Sequence, residues 1–291
     1  MAFAMGGAGL VCQASAQSME TQSQPIANLF FGQSDVCTVP GLDVVEEAQE
    51  REVRLVARTV GVLEATVTLS VRAINLTISK PLPHTADVAG SEPIELVRLH
   101  VKHPLRESFL SFRYAWRPGS QLGVHDDTYV YTLPYDADKS FGVGQGRLGA
   151  LSHGPGSGAE NAIDFDLPEG TTVRAARPGI VVAVRDGSEI GGPEPKFGPC
   201  ANFVIIRHAD GTYANYAHFM PRSALVKPGR AVGVGTPLAL SGKTGYATGA
   251  HLHFEVFKNI DGEHGQTFAV SFATSEGVLS ELQVGHSYRS P

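Results

Sequence analysis

Residues 249–256 read Gly-Ala-His-Leu-His-Phe-Glu-Val, and how this stretch folds decides how the rest of the chain is read. Leu252, Phe254 and Val256 alternate with other residues, which is the period of a β-strand, where side chains two apart share a face. His251 and His253 are therefore expected on one side, bringing two imidazoles into a small volume. An imidazole nitrogen is a good ligand for a divalent transition metal, and a second imidazole beside it can hold or deprotonate a water. A His-x-His pair also occurs on solvated strand faces, so the functional reading depends on partners elsewhere in the chain.

Two segments supply such partners. Asn161-Ala-Ile-Asp164-Phe places a carboxylate in an otherwise apolar strand, where it needs either a cation or hydrogen-bond donors. Backbone amides at a turn would meet the same need. Tyr213-Ala-Asn-Tyr216-Ala-His218 alternates so that Tyr216 and His218 are expected to face the same way, with His218 able to hold an oxyanion or a water, or merely to pack. His208, just before the Asp210-Gly211 turn, is expected to be exposed at a hairpin end.

Around these segments the texture is that of short strands. Residues 162–165, 172–175, 180–185, 202–207, 213–218, 237–241 and 251–257 carry strand patterns separated by Gly- and Pro-marked turns, with one helical turn expected near 221–225. Upstream, residues 52–58, 64–75, 94–102, 109–114 and 128–133 read as strands of an antiparallel sandwich-like domain of about 100 residues. His84, His100, His103 and His125 are scattered through it without a shared spacing. The chain therefore reads as mainly β. Its expected parts are a signal-like segment at 1–17, a linker at 18–38, an antiparallel β-sandwich-like accessory domain at 39–135, a compact antiparallel β domain at 136–275, and a C-terminal tail at 276–291.

Bulk properties narrow the function classes. The 291 residues are 42% hydrophobic and 18% charged, with 33 Gly and 18 Pro, as expected of a folded, strand- and turn-rich protein. A formal charge of -6 without basic clusters argues against nucleic acid as a partner. No stretch approaches the roughly 20 apolar residues of a membrane-spanning helix. Residues 1–17 are small and apolar and end in Ala14-Ser15-Ala16, the texture of a secretory signal, although no Lys or Arg precedes the apolar part. Export to the periplasm, envelope or medium is the expectation. Loss of such a leader would remove Cys12 and leave Cys37 and Cys200, a pair suited to an exported protein, but sequence alone leaves their pairing open. Lipid anchoring at Cys12 is a lesser alternative, because Gly9-Leu10-Val11 is a poor context for it.

The order of these pieces carries a resemblance. Asn161-Ala-Ile-Asp164-Phe-x-x-Pro168-x-Gly170-Thr-x-Val173, Gly179-x-Val-Val, the run from Asn202 to Tyr216-x-His218, and Gly249-x-His251-Leu-His253-Phe-Glu-Val together resemble the lysostaphin-like, LytM-type zinc metallopeptidases of the duplicated hybrid motif fold. The resemblance implies one zinc ion per chain, with Asp164 and His253 as ligands. It further implies His251 as general base and His218 as the catalytic histidine that stabilises the developing oxyanion. The implied substrate is the peptide part of bacterial peptidoglycan, cut by an exported endopeptidase. A non-catalytic wall-binding or hydrolase-activating protein on the same fold is the alternative.

One position departs from the pattern. The family's first ligand is a histidine four residues before the aspartate, and here that residue is Glu160. His153 lies eleven residues before Asp164, across the Gly-rich run Gly154-Pro-Gly-Ser-Gly158. A flexible excursion of this kind lets His153 return to the metal and complete a His-His-Asp set, so His153 is the expected ligand and Glu160 the alternative.

Overall fold

Alternating apolar residues become strands through most of the computed structural model, which describes residue 37 and residues 41–291. The expected signal segment at 1–17, and the expected linker apart from Cys37, lie outside the described residues. In the N-terminal part, Leu42–Gln49, Glu52–Thr59, Ile94–Val101 and Leu76–Ile78 form one antiparallel sheet in that order. His84–Ala89, Glu64–Ile74 and Phe109–Pro118 form a second. Leu55, Ala57, Val97 and Leu99 from the first sheet share an apolar core with Val67, Leu69, Val88 and Leu110 from the second.

Three of these strands were not expected, and one of them, Leu76–Ile78, is only three residues long. Leu42–Gln49 ends in Glu46-Glu47-Ala48-Gln49, which breaks the alternation, and His84–Ala89 is short and polar. The 128–133 segment contributes only Val130–Thr132, which pairs in parallel with Ser271–Thr274 and so leaves the N-terminal sheets altogether.

The second part is built on a nine-stranded sheet. Its order is Ala231–Val232, Gly179–Arg185, Phe203–Arg207, Tyr213–Ala217, Leu252–Asn259, Ile163–Phe165, Ser140–Gln145 and Ser287–Arg289, with Gly265–Phe268 also paired to Leu252–Asn259. Strand alternation sorts the residues between its two faces. Ile163, Phe165, Val204, Ala214, Tyr216, Leu252, Phe254 and Val256 pack into one core. Phe203, Ile205, Tyr213, Ala217 and Phe257 point the other way and merge with the core of the N-terminal sheets.

That shared core is braced by polar contacts. Glu64 accepts hydrogen bonds from Tyr213 Oη at 2.9 Å and Arg207 Nη1 at 2.7 Å. The buried Arg117 donates to Asn259 Oδ1 at 3.3 Å. Cys37 and Cys200 form a disulfide, which closes the pairing that the sequence leaves open.

Several expectations are corrected. The 221–225 segment is a loop, because Arg222 takes a left-handed φ of 57° and the amides of Arg222 and Leu225 are drawn to Asp186 and Leu238. A 3-10 turn forms instead at Pro195–Cys200. The 276–291 segment is folded in: Gly277–Leu279 pairs with Ser271–Thr274, and Ser287–Arg289 pairs with Ser140–Gln145. Among the described residues, no helix is long and apolar enough to cross a membrane.

His208 is buried, not exposed. Its Nδ1 donates to Pro178 O at 2.8 Å, and its ring packs edge-on to Tyr131. Burial pushes its pKa down to about 4, with Arg177 adding to the shift and the Pro178 bond opposing it. The unfolded chain therefore binds this proton first as the pH falls, and stability is lost between about pH 6.5 and 4. The effect is on the order of 3 kcal/mol. In thermal melts from pH 7 to pH 4, His208→Gln is expected to lose less stability across that window than the wild type; identical pH profiles would refute the assignment.

Candidate metal centre

The register of three strands builds the centre. Asp164 stands directly opposite His253 on one side and Gln145 on the other. Its neighbours Ile163 and Phe165, like Leu252 and Phe254, point into the apolar core, so the carboxylate and the imidazole share the opposite face. Asp164 Oδ1 lies 3.0 Å from His253 Nδ1 and 3.4 Å from His153 Nε2. Ligand atoms of these three residues all fall within 4.8 Å of one another, and His153 and His253 are buried.

The hydrogen bonds of each ring favour a donor set with its lone pairs turned inward. A carbonyl only accepts, so the contact of His153 Nδ1 with Gly146 O at 3.2 Å puts the proton on Nδ1. His153 Nε2 is then a bare lone pair, buried and without a hydrogen-bond partner among the described residues. His253 turns Nε2 toward the buried Glu255, 3.8 Å from its Oε2, which leaves Nδ1 for the centre. A carboxylate oxygen and two imidazole nitrogens of this kind fit a zinc ion.

The electrostatics agree with that fit. Burial alone would push the Asp164 carboxyl up, but the His153 and His253 imidazoles beside it outweigh this and hold Asp164 well below the usual carboxylate range. Burial would push His253 down, and its contacts with Asp164 and Glu255 reverse this. The buried Asp164 and Glu255 carboxylates thus favour positive charge in this place, whether a proton on His253 or a cation that takes its place.

His218 and His251 form a second pair beside the first. The His218 ring centroid is 4.4 Å from that of His251 and 5.9 Å from that of His253. The expectation that His218 continues the alternation of Tyr216 fails. His218 follows the end of the Tyr213–Ala217 strand with a left-handed φ of 71°, so Tyr216 goes to the core while His218 swings to the centre. A positive φ at a non-Gly residue is uncommon and costly, and here it delivers a side chain to the site.

His218 Nδ1 donates to Thr244 O at 2.7 Å, and His251 Nδ1 donates to Gly249 O at 3.0 Å. Burial, with His251 and His253 beside it, holds the His218 pKa well below the usual histidine value. Gly242 allows the His251 segment to lie this close: a β-carbon there would come 2.6 Å from Met220 N, and Gly242 forms a bridge with His251.

Of the residues singled out in the sequence, His153, Asp164, His218, His251 and His253 therefore converge. Glu160 stays outside the cluster, because its Oε1 accepts from Gly156 N at 2.8 Å and braces the Gly-rich loop. Sequence reasoning gave no role to Gln145, Thr244 or Glu255. Glu255 has a visible signal, an acidic residue in the buried strand two residues from His253.

Residues 158–266 match the model of Peptidase family M23, a span that takes in Asp164, His218, His251 and His253 but leaves out His153 and Gln145. The chain is similar to the Peptidoglycan DD-endopeptidase ShyA of Vibrio cholerae serotype O1, at 36% identity over 96 residues, 33% of this chain and 20% of that protein. It is also similar to the DD-carboxypeptidase/endopeptidase Mpg of Neisseria meningitidis serogroup B, at 33% identity over 114 residues, 39% of this chain and 23% of that protein. The matches span about a fifth of the length of these relatives. Among solved structures, the catalytic domain of lysostaphin from Staphylococcus simulans aligns at 26% identity over 46% of this chain and 94% of its own, with a TM-score of 0.31.

Proposed function

We propose, from the premise that residues 158–266 of this chain are a Peptidase family M23 domain, that the protein is a zinc-dependent endopeptidase acting on the peptides of bacterial peptidoglycan. The observation that carries this reading is the convergence of His153, Asp164 and His253 beside the His218–His251 pair. In this reading His153 Nε2, Asp164 Oδ1 and His253 Nδ1 hold the zinc ion. When bound, zinc supplies a Lewis acid that polarises the scissile carbonyl and makes water more acidic.

The remaining work falls to the protein's own groups. His251, with Nδ1 committed to Gly249 O, has Nε2 available to take the proton of the attacking water. That water oxygen bonds to the carbonyl carbon, the C–N bond breaks, and the proton held on His251 Nε2 passes to the departing amine. His218, with Nδ1 committed to Thr244 O, faces the reaction through Nε2. It stabilises the developing oxyanion when that nitrogen carries a proton, which the negative charge itself favours.

The disulfide suits an oxidising compartment and supports export to the envelope, where peptidoglycan lies. The N-terminal sheets pack on the face of the central sheet that carries His253, which supports a role in bounding the substrate cleft.

The test is release of soluble fragments from purified peptidoglycan. Stripping the protein with a strong chelator is expected to abolish release, and adding zinc back to restore it. Wall binding without release by the zinc-loaded protein would instead place it among non-catalytic binding proteins.

A further inference from the structure

Gln145 ends the Ser140–Gln145 strand, stands across from Asp164 and is buried. Its amide is engaged at both ends. Oε1 accepts from Leu151 N and Ser152 N, each at 3.1 Å. Nε2 donates to Ser152 Oγ at 2.9 Å and to Asp164 Oδ2 at 3.0 Å. The first three bonds fix the two residues that precede His153. The fourth commits one oxygen of Asp164, leaving Oδ1 turned toward His153 Nε2 and His253 Nδ1.

The chain coils closely around this side chain. Leu148 takes a left-handed φ of 56°, and Gly149 N donates to Gly146 O at 3.1 Å. A β-carbon on Gly149 would lie 2.5 Å from Gln145 Cγ, so any larger residue there must displace the glutamine. Gly146 is also the residue whose carbonyl fixes the His153 tautomer. One amide therefore ties together the loop, the histidine it carries and the carboxylate that histidine meets.

We infer that Gln145 is the positioning residue that makes His153 a metal ligand, through its simultaneous hydrogen bonds to the 151–152 backbone and to Asp164. It does by a long-range contact what a short local spacing between histidine and aspartate would otherwise do. Buried, fully used hydrogen-bonding groups beside a metal centre set both ligand orientation and affinity. The inference rests on the zinc centre proposed above and identifies what holds it in shape.

The test is zinc affinity by competition with a chromogenic chelator, together with the visible absorption of the cobalt(II)-substituted protein, for wild type, Gln145→Met, Gly149→Ala and Ser152→Ala. Gln145→Met keeps the bulk and removes all four bonds; Gly149→Ala keeps the amide and displaces it. Each is expected to bind zinc about 10–100-fold more weakly than wild type. Their cobalt spectra are expected to move toward that of His153→Ala. Ser152→Ala, which loses one bond and is the mildest change, is expected to show a smaller shift in the same direction and serves if the other two do not fold.

A purely structural role would lower the melting temperature in excess chelator without altering the cobalt spectrum. Wild-type affinity and an unchanged spectrum in folded Gln145→Met, or in Ser152→Ala if only that variant folds, overturn the inference while leaving the zinc reading intact. A wild type that takes up no zinc overturns both.

Discussion

His251→Ala is expected to leave about one zinc ion per chain while slowing release of peptidoglycan fragments by on the order of 10²–10⁴-fold, the usual contribution of a positioned general base. The two halves of this expectation come from different parts of the geometry. His251 is not one of the three residues whose ligand atoms cluster, so its removal takes nothing from the cation site. Its ring is half-buried and held through Nδ1 by Gly249 O, which leaves Nε2 as a basic lone pair beside His218. Elemental analysis and fragment release on the same preparation check both halves. Lost zinc would make His251 a ligand, and retained activity would remove it from the chemistry.

His153→Ala is expected to cost both metal and activity, whereas Glu160→Ala is expected to keep both. The buried His153 Nε2 faces Asp164 Oδ1, and losing it leaves two of the three converging side chains proposed to hold the metal. The loss of zinc affinity should exceed the roughly 10–100-fold typical of an outer partner. Glu160 makes its contact with the backbone of Gly156, so its truncation should loosen the Gly-rich loop and lower stability by about 1 kcal/mol. Zinc content and melting temperature of the two variants separate these outcomes. Zinc lost in Glu160→Ala and kept in His153→Ala would reverse the ligand assignment.

What was legible in the sequence follows from which signals are local. Alternation made Glu64–Ile74 and Leu252–Asn259 readable, and a short apolar run between turn signals made Gly179–Arg185 readable, although Leu252–Asn259 proves to be buried on both faces. Asp164 and His253 were readable as polar residues placed within apolar strands, and His251 by its spacing two residues before His253, at a bridge just outside the strand. His218 was found by its spacing, but its orientation was not. The left-handed turn at its own backbone depends on Asn202 and Thr244, whose side chains bond to Phe219 O from far along the chain.

The return of His153 was an expectation without a visible cause, since the amide that brings it about comes from Gln145 and is completed by Asp164. His208 illustrates the opposite failure. A hairpin end is normally exposed, yet Pro178, Tyr131 and Arg177 close over this one from other elements. The Cys37–Cys200 bond spans 163 residues, a separation at which sequence carries no geometric information.

The most direct test of the endopeptidase reading is mass spectrometry of the soluble products formed when the zinc-loaded protein acts on purified peptidoglycan. The reading predicts fragments in which a peptide bond has gained one water and a new amine, absent when His251→Ala replaces the wild type. Intact cross-linked peptides, or cleavage confined to the glycan strands, would contradict it.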